Sequence, residues 1–166
     1  MIRSFLDYKP EVGAGCFIAE TAVVIGNVSL GEHSSVWYNT VIRGDVGKIT
    51  IGHHTNIQDL CMIHVSHIPT IIGDYVTLGH CAVVHGCTIE DNCLIGISAT
   101  VLDGAVIGAE SIVAAGAVVP PGMRVPPRSL VLGIPGAVKK QLADADVDYI
   151  NQHWRNYVEL KEQFLR

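Results

Sequence analysis

Three histidines of this sequence are of a type and spacing that could hold a metal ion. His80 and His85 lie five residues apart in VTLGHCAVVHGC (76–87), and His64 lies upstream. Five is neither the helical spacing of three or four nor an even strand spacing, so a plain helix or strand would not place His80 and His85 on one face. Imidazole nitrogens bind zinc at about 2.0–2.1 Å. Bringing the rings together therefore requires a different backbone path.

A hexapeptide repeat along most of the chain supplies such a path. Aliphatic residues recur every sixth position, in the runs Val12, Ile18, Val24, Leu30, Val36, Ile42; Ile51, Ile57, Ile63; Ile72, Leu78, Val84; and Ile89, Ile95, Val101, Ile107, Val113, Val119, Val125, Val131. The next residue is often Gly, and the fifth residue of each hexad is usually small. Three such hexads would close a triangular coil with the aliphatic residues stacked inside. The repeat predicts an all-β solenoid; the alternative, a sandwich, favours turns every ~8–12 residues.

The repeat register stacks polar residues on successive coils. Arg43, His64 and His85 each follow the aliphatic residue of a hexad, and they are three hexads apart. They are therefore predicted to form one column, with neighbouring coils ~4.7–4.9 Å apart. His80 lies one side earlier, above residues 58–59. A cyclic trimer of prisms could bring one column against the other column of a neighbour, which would make a three-histidine site with an open fourth position. A buried, neutral, hydrogen-bonded set of histidines is the alternative.

The repeat is irregular at three places. Three extra residues lie within 42–51, three more lie within 63–72, and one residue is missing within 84–89. Irregularities in a strict repeat map to loops and often to functional sites.

The chain ends in an amphipathic helix. Apolar residues of 144–165 recur at spacings of three and four, and Asp144 or Asp146 is the predicted N-cap. We divide the chain into a solenoid domain at 1–140 and a helix at 141–166 that packs on the prism or on a neighbour.

Composition excludes several classes of protein. The net charge is −5 with no basic cluster, which argues against nucleic-acid binding. The most apolar stretch, at 112–119, is too short to span a bilayer, and the N-terminus lacks the apolar core of a signal peptide. The five cysteines are odd in number and form no CxxC, which predicts reduced thiols in the cytoplasm.

Four polar residues in or beside the predicted columns are Arg43, Asp45, Gln58 and Asp59, from RGD (43–45) and NIQD (56–59). Arg43 could pair with Asp45 or with Asp59, and either pair could hold subunits together. Gln58 is well placed to orient a water molecule or a substrate.

At these residues the sequence resembles the γ-class carbonic anhydrase family. The likeness lies in VIRGDVGKITIG (41–52), TNIQD (55–59), MIH (62–64), TLGH (77–80), VVHGC (83–87) and NYVEL (156–160). The resemblance implies a left-handed parallel β-helix, a homotrimer and a metal at each subunit interface. The metal is expected to be Zn²⁺, with Fe²⁺ or Co²⁺ as alternatives.

The same resemblance implies roles for individual residues. His64 and His85 from one subunit and His80 from its neighbour would be the metal ligands, and Gln58 would orient the metal-bound water. Arg43 and Asp59 would form an intersubunit ion pair supported by Asp45, and the helix residue Tyr157 would reach the site. The reaction implied is reversible hydration of CO₂ to bicarbonate by a metal-bound hydroxide.

The sequence departs from the best-characterised members in one loop. These carry a proton-shuttling glutamate after the first metal histidine, whereas VSHIPTI (65–71) has no carboxylate. A free imidazole titrates near ~6.5, so His67 or His54 is a substitute candidate.

Two other functions remain open from the sequence. One is an acyl-CoA thioesterase or acyltransferase of the hexapeptide class, in which a single histidine acts as general base. The other is a noncatalytic trimeric scaffold.

Overall fold

The computed structural model describes all 166 residues as a solenoid of short strands followed by one helix. The elements are β1 Ile2–Arg3, β2 Glu11–Val12, β3 Phe17–Ile18, β4 Val23–Leu30, β5 Ser35–Val36, β6 Val41–Ile51, β7 Asn56–Ile57, β8 Met62–His64, β9 Thr70–Ile72, β10 Thr77–Leu78, β11 Val83–His85, β12 Thr88–Ile89, β13 Leu94–Ile95, β14 Thr100–Val101, β15 Val106–Ile107, β16 Ile112–Val113, β17 Val118–Val119, β18 Arg124–Val125, β19 Ser129–Leu132, β20 Ala137–Gln141 and α1 Asp144–Phe164.

The strands stack in parallel ladders on the faces of a prism. One face has the order β20-β19-β16-β13-β10-β7-β5-β3, in which only the β19–β20 pair is antiparallel. The other faces share one sheet, because the long strand β6 pairs with β8 through its first half and with β9 through its second half. This architecture matches the left-handed β-helix of hexapeptide repeats, so the predicted fold class is confirmed.

The repeating aliphatic residues form the core. From Val24 to Val131 every one of them is at most 4% exposed. Val12 is 39% exposed, and Ile18 is only partly buried against the core. Val12 pairs with Leu30 as the register predicts, but it is exposed because it belongs to the first coil, which no further coil covers. Full burial of a side chain such as Ile stabilises by about 1.5–3 kcal/mol, so the stack is the main source of stability.

The irregularities leave the aliphatic stacking intact. Regular coils pair residues 18 apart, as in Val24 with Ile42. Pairs across an insertion are 21 apart, as in Ile42 with Ile63, and pairs across the missing residue are 17 apart, as in Val84 with Val101. The extra residues lie in β6 and in the segment 65–69 between β8 and β9. The core thus keeps its register while the corners change.

Helix α1 packs on the face that contains β5, β7 and β10. Val147 and Ile150 are buried, and the ring of Phe164 lies 5.2 Å from that of Trp37. Lys161 is also fully buried, and its Nζ donates a hydrogen bond to the carbonyl of Gly15 at 3.0 Å. No helix of the structure is both long enough and apolar enough to cross a membrane.

The N-cap of α1 differs from the prediction. Ala143 is the N-cap, and Asp144 is the first helical residue. Asp146 instead accepts the backbone N–H of Ala143 at 2.9 Å. An acidic residue in the first turn is favoured there by the helix dipole, which explains why the sequence suggested a cap at these positions. The division at 140/141 stays a prediction.

Candidate metal centre

Arg43, His64 and His85 lie in one column on successive coils. The parallel ladders pair Arg43 with His64 and His64 with His85. The two imidazole rings are 5.1 Å apart between centroids, and Nδ1 of His64 lies 3.1 Å from Nε2 of His85. Strand stacking alone thus brings two ring nitrogens to one point at the surface of the prism.

A carboxylate oxygen lies within hydrogen-bonding distance of one nitrogen of each ring. Asp45 Oδ1 lies 2.9 Å from Nε2 of His64, and Asp103 Oδ1 lies 2.7 Å from Nδ1 of His85. A carboxylate accepts hydrogen bonds, so these two nitrogens carry the hydrogens. The remaining nitrogens, which face each other, then present lone pairs to each other. Only a cation between them, a proton or a metal ion, makes that arrangement favourable.

The donor set fits a metal ion. Two nitrogen ligands of a tetrahedral zinc lie about 3.3 Å apart when the Zn–N distances are about 2.0–2.1 Å. The separation of His64 Nδ1 and His85 Nε2, 3.1 Å, is close to this value. Metal-bound histidines characteristically donate their other ring N–H to a carboxylate. His64 and His85 could therefore hold a metal, which needs further ligands from elsewhere.

His80 lies in a different column of the same chain. Its Nδ1 is 3.0 Å from Asp59 Oδ2, so its Nε2 is left with a free lone pair by the same reasoning. No group of three His, Cys, Asp or Glu side chains within the chain is arranged to hold a metal ion. One chain thus presents a two-histidine pair and, separately, a third histidine.

Arg43 pairs with Asp45 within the chain. Of the two partners that the sequence left open, Asp45 is the one that the single chain brings to the guanidinium, while Asp59 pairs with His80. Desolvation opposes ionisation of Asp45, but the hydrogen bonds from His64 and Arg43 outweigh it and hold the pKa of Asp45 below its ordinary value. Asp45 is therefore an anion that anchors His64.

Gln58, His80 and Tyr157 line a groove between α1 and the sheet. The groove has a volume of about 520 Å³, and most of its lining residues are apolar. Gln58 is 6% exposed, and its Nε2 donates to Asn56 Oδ1 at 3.2 Å. Burial, together with the nearby Asp59 and Cys61, raises the pKa of Tyr157. The phenol is therefore neutral, and its O–H can donate a hydrogen bond.

Asp103 is a functional candidate that the sequence reasoning missed. It follows Leu102, which stands directly above His85 in the column because Val84 pairs with Val101. The signal was therefore present in the register, one coil beyond the last histidine. The Gly86 corner lies directly below Asp103, since the N–H of Gly104 donates to the carbonyl of Gly86 at 2.7 Å.

The two candidates for proton transfer lie in different surroundings. His67 is exposed in the segment between β8 and β9. His54 is stacked between His33 and Tyr75, with ring centroids 5.2 and 5.4 Å away. Desolvation, and then the neighbouring histidines and Lys161, lower the pKa of His54. His67 is thus the more accessible imidazole.

None of the five cysteines is paired. Cys81, next to His80, is exposed, whereas Cys87 is buried, and that burial raises the pKa of its thiol to about 12. Cys87 is therefore a neutral packing group.

Comparison with known proteins places the chain in a family. The family of bacterial transferase hexapeptide repeats (six repeats) matches residues 86–121. A protein of Methanocaldococcus jannaschii named "Probable carbonic anhydrase" is 58% identical over 87% of this chain and 92% of its own length. "Gamma carbonic anhydrase 2, mitochondrial" of Arabidopsis thaliana is 42% identical over 97% of this chain, which spans 60% of that protein. A crystal structure of a hexapeptide transferase family protein from Anaplasma phagocytophilum superimposes with a TM-score of 0.96 at 35% identity, covering 99% of this chain and 98% of that one. The chain belongs to the γ-class carbonic anhydrase family of hexapeptide-repeat proteins.

Proposed function

We propose that this protein is a carbonic anhydrase that interconverts CO₂ and bicarbonate at a metal site between subunits of a homotrimer. The observation that carries the proposal is the His64–His85 pair, whose facing nitrogens are 3.1 Å apart and whose other nitrogens are held by carboxylates. The names of the relatives in Methanocaldococcus and Arabidopsis support the same reaction.

The proposed ligands come from two chains. His64 and His85 of one subunit and His80 of its neighbour hold Zn²⁺, with Fe²⁺ or Co²⁺ as alternatives. A ring of three chains joined head to tail contains three identical interfaces of this kind. When bound, the metal supplies a Lewis acid that lowers the pKa of water to about 7. Three neutral imidazoles leave the positive charge of the metal undiminished.

The residues around the proposed metal ligands orient the imidazoles and the attacking water. Asp45 and Asp59 hold His64 and His80 in the tautomers that keep one nitrogen of each free. We assign Gln58 to orienting the attacking water, and the neutral Tyr157 hydroxyl to donating a hydrogen bond at the mouth of the groove. Arg43, which pairs with Asp45 in the single chain, is assigned a second contact with Asp59 across the subunit boundary.

The apolar groove suits CO₂, which has no net dipole. Its apolar walls lie beside Gln58 and His80, so an apolar molecule can collect there at little desolvation cost. Bicarbonate is charged and is disfavoured against such walls, which assists its release. The free thiols favour a reducing compartment, and we therefore propose the cytoplasm as the site of the reaction.

Proton release is assigned to His67, because it is exposed in the segment next to His64. At low buffer concentration we expect His67→Ala to slow CO₂ exchange, with recovery when an imidazole buffer is added. Unchanged exchange at low buffer would remove His67 from this role.

The experiment that tests the function is ¹⁸O exchange between CO₂ and bicarbonate, with metal content per chain assayed on the same anaerobically purified sample. One metal per chain with fast exchange is expected for wild type. His85→Ala should lose both metal and exchange, while His33→Ala, an imidazole at another corner, should keep both. Metal without exchange would contradict the reaction, and a wild-type protein without metal would contradict the site.

The size of the groove favours a second candidate, hydrolysis or transfer of an acyl thioester. Pockets for organic ligands are typically about 300–1,000 Å³, and the 520 Å³ groove is far larger than CO₂ requires. The hexapeptide transferase family name of the Anaplasma structure points the same way. Turnover of acetyl-CoA or a longer acyl-CoA by the metal-free wild type, with no CO₂ exchange by the metal-loaded protein, would favour this candidate.

A further inference from the structure

Asp103 contacts a predicted metal ligand although it lies outside every motif of the family resemblance. We propose that Asp103 is a positioning residue that fixes the tautomer and ring orientation of His85 for metal binding. The inference rests on the proposed metal site and assigns to it a residue from the adjacent coil.

The contact between Asp103 and His85 is short and comes from the coil above. Asp103 Oδ1 lies 2.7 Å from Nδ1 of His85. The turn that carries it is tied to the corner below, because the N–H of Gly104 donates to the carbonyl of Gly86 at 2.7 Å. Gly86 itself has a φ of +54°, and a Cβ there would lie 2.0 Å from Asp103 Oδ1. Only glycine leaves room for the carboxylate.

The inserted segment after His64 completes the arrangement. Ser66 Oγ donates to Asp103 Oδ1 at 3.3 Å. Thr70 Oγ1 donates to the carbonyl of His64 at 2.6 Å and accepts the N–H of Gly86 at 2.9 Å. The inserted segment therefore meets the Gly86 corner, where the repeat lacks a residue, beside Asp103. Ser66 of the insertion contacts the carboxylate, and Thr70 contacts the backbone of Gly86.

Two other corner carboxylates, Asp74 and Asp91, make contacts of a different kind. Asp74 Oδ1 accepts the backbone N–H of His53 at 2.7 Å, and Asp91 Oδ1 accepts that of Asp74 at 2.8 Å. These contacts join one coil to the next and touch no imidazole. Asp103 contacts Nδ1 of His85 instead of a backbone N–H, so its contact favours one tautomer of His85.

The chemical consequence follows from the two tautomers of His85. With the hydrogen on Nδ1, the ring donates to Asp103 and presents a bare Nε2 toward His64. With the hydrogen on Nε2, a lone pair faces the carboxylate, and Nε2 cannot bind a metal. Loss of a carboxylate that orients a metal-bound histidine typically costs 10–100-fold in metal affinity, and we expect a loss of about this size.

The test compares Asp103→Ala and Asp103→Asn with the control Asp91→Asn, which removes the same charge from another corner. One readout is the tautomer of His85 in the metal-free protein, from the ¹⁵N chemical shifts of its ring. The other is the dissociation constant for Co²⁺, measured by its absorption spectrum. We expect wild type and Asp91→Asn to hold the hydrogen on Nδ1 and to bind Co²⁺ equally well.

Asp103→Ala should move the hydrogen of His85 toward Nε2 and weaken Co²⁺ binding by about 10–100-fold, with Asp103→Asn in between because its amide oxygen still accepts. An unchanged tautomer in Asp103→Ala, or an equal loss of affinity in Asp91→Asn, would overturn the inference. If wild type binds no Co²⁺, the proposed function fails, and the tautomer comparison alone then decides whether Asp103 fixes the ring.

Discussion

Gly86→Ala probes the corner at which the repeat loses a residue. Gly86 has a φ of +54°, so alanine would occupy the left-handed region at a cost of about 1–2 kcal/mol. Its Cβ would also lie 2.0 Å from Asp103 Oδ1 and 3.0 Å from Ser66 Oγ. The carboxylate must move away, which removes its hydrogen bond to His85. Because this pair is partly exposed, we assign it about 1 kcal/mol. The expected loss in the free energy of unfolding is about 2–3 kcal/mol.

A matched control separates the two contributions. Gly122 has a φ of +70°, and a Cβ there would meet nothing within 4 Å. Gly122→Ala should therefore lose only the backbone contribution, about 1–2 kcal/mol. In an Asp103→Ala background, the steric part of Gly86→Ala should disappear, which gives a coupling energy of about 1 kcal/mol between the two positions.

The assay is reversible urea unfolding at one fixed protein concentration, because subunit association would change the apparent stability of a trimer. Each of the four proteins of the cycle is measured together with Gly122→Ala. Equal losses for Gly86→Ala and Gly122→Ala, or additive losses for Gly86→Ala and Asp103→Ala, would refute the steric link between the corner and the carboxylate.

Three further predictions concern other parts of the molecule. At pH 8 iodoacetamide should label the exposed Cys81 of the folded protein and leave Cys93 unmodified, because burial raises the pKa of Cys93 to about 12; labelling of Cys93 at a comparable rate, seen by peptide mass spectrometry, would contradict this. Lys161→Ala should lower the free energy of unfolding by about 0.5–1.5 kcal/mol, since the hydrogen bond from Lys161 to the Gly15 carbonyl would be lost, and an unchanged free energy of unfolding would be inconsistent with that contact. The pKa of Asp45 is held below its ordinary value, so the ionised Asp45 stabilises the folded protein fully above about pH 4, and this stabilisation is lost as the pH falls through the folded-state pKa. Asp45→Asn should therefore flatten the fall of Tm on acidification. A fall identical to that of wild type would show that Asp45 does not contribute.

The fold could be predicted from the sequence because its core is a linear stack of equivalent residues. Each aliphatic residue packs only on its equivalents in adjacent coils, so a spacing of six fixes both the strand and its neighbours. The stacking of His64 on His85 follows from the same register. Val12 keeps the register but is exposed, since position within a hexad does not reveal which coil lies at the end of the stack.

The contacts at the corners could not be predicted in the same way. The register places Asp103 one coil beyond His85, but it does not reveal that the Asp103 carboxylate reaches the His85 ring. Arg43 had two acidic neighbours, and the choice of Asp45 depends on side-chain reach within the insertion. The N-cap of the helix depends on local backbone angles that short polar residues influence from several positions.

The central claim is that His64 and His85 share a metal with His80 of another chain, and subunit mixing tests it most directly. His80→Ala and His64→Ala proteins are expected to bind no metal when pure. Unfolded together in equal amounts and refolded, they should recover about one quarter of wild-type metal and CO₂ exchange, because an interface is intact when a His80→Ala chain supplies His64 and a His64→Ala chain supplies His80. No recovery in mixed trimers of normal mass, or full metal binding by pure His80→Ala, would contradict a site shared between chains.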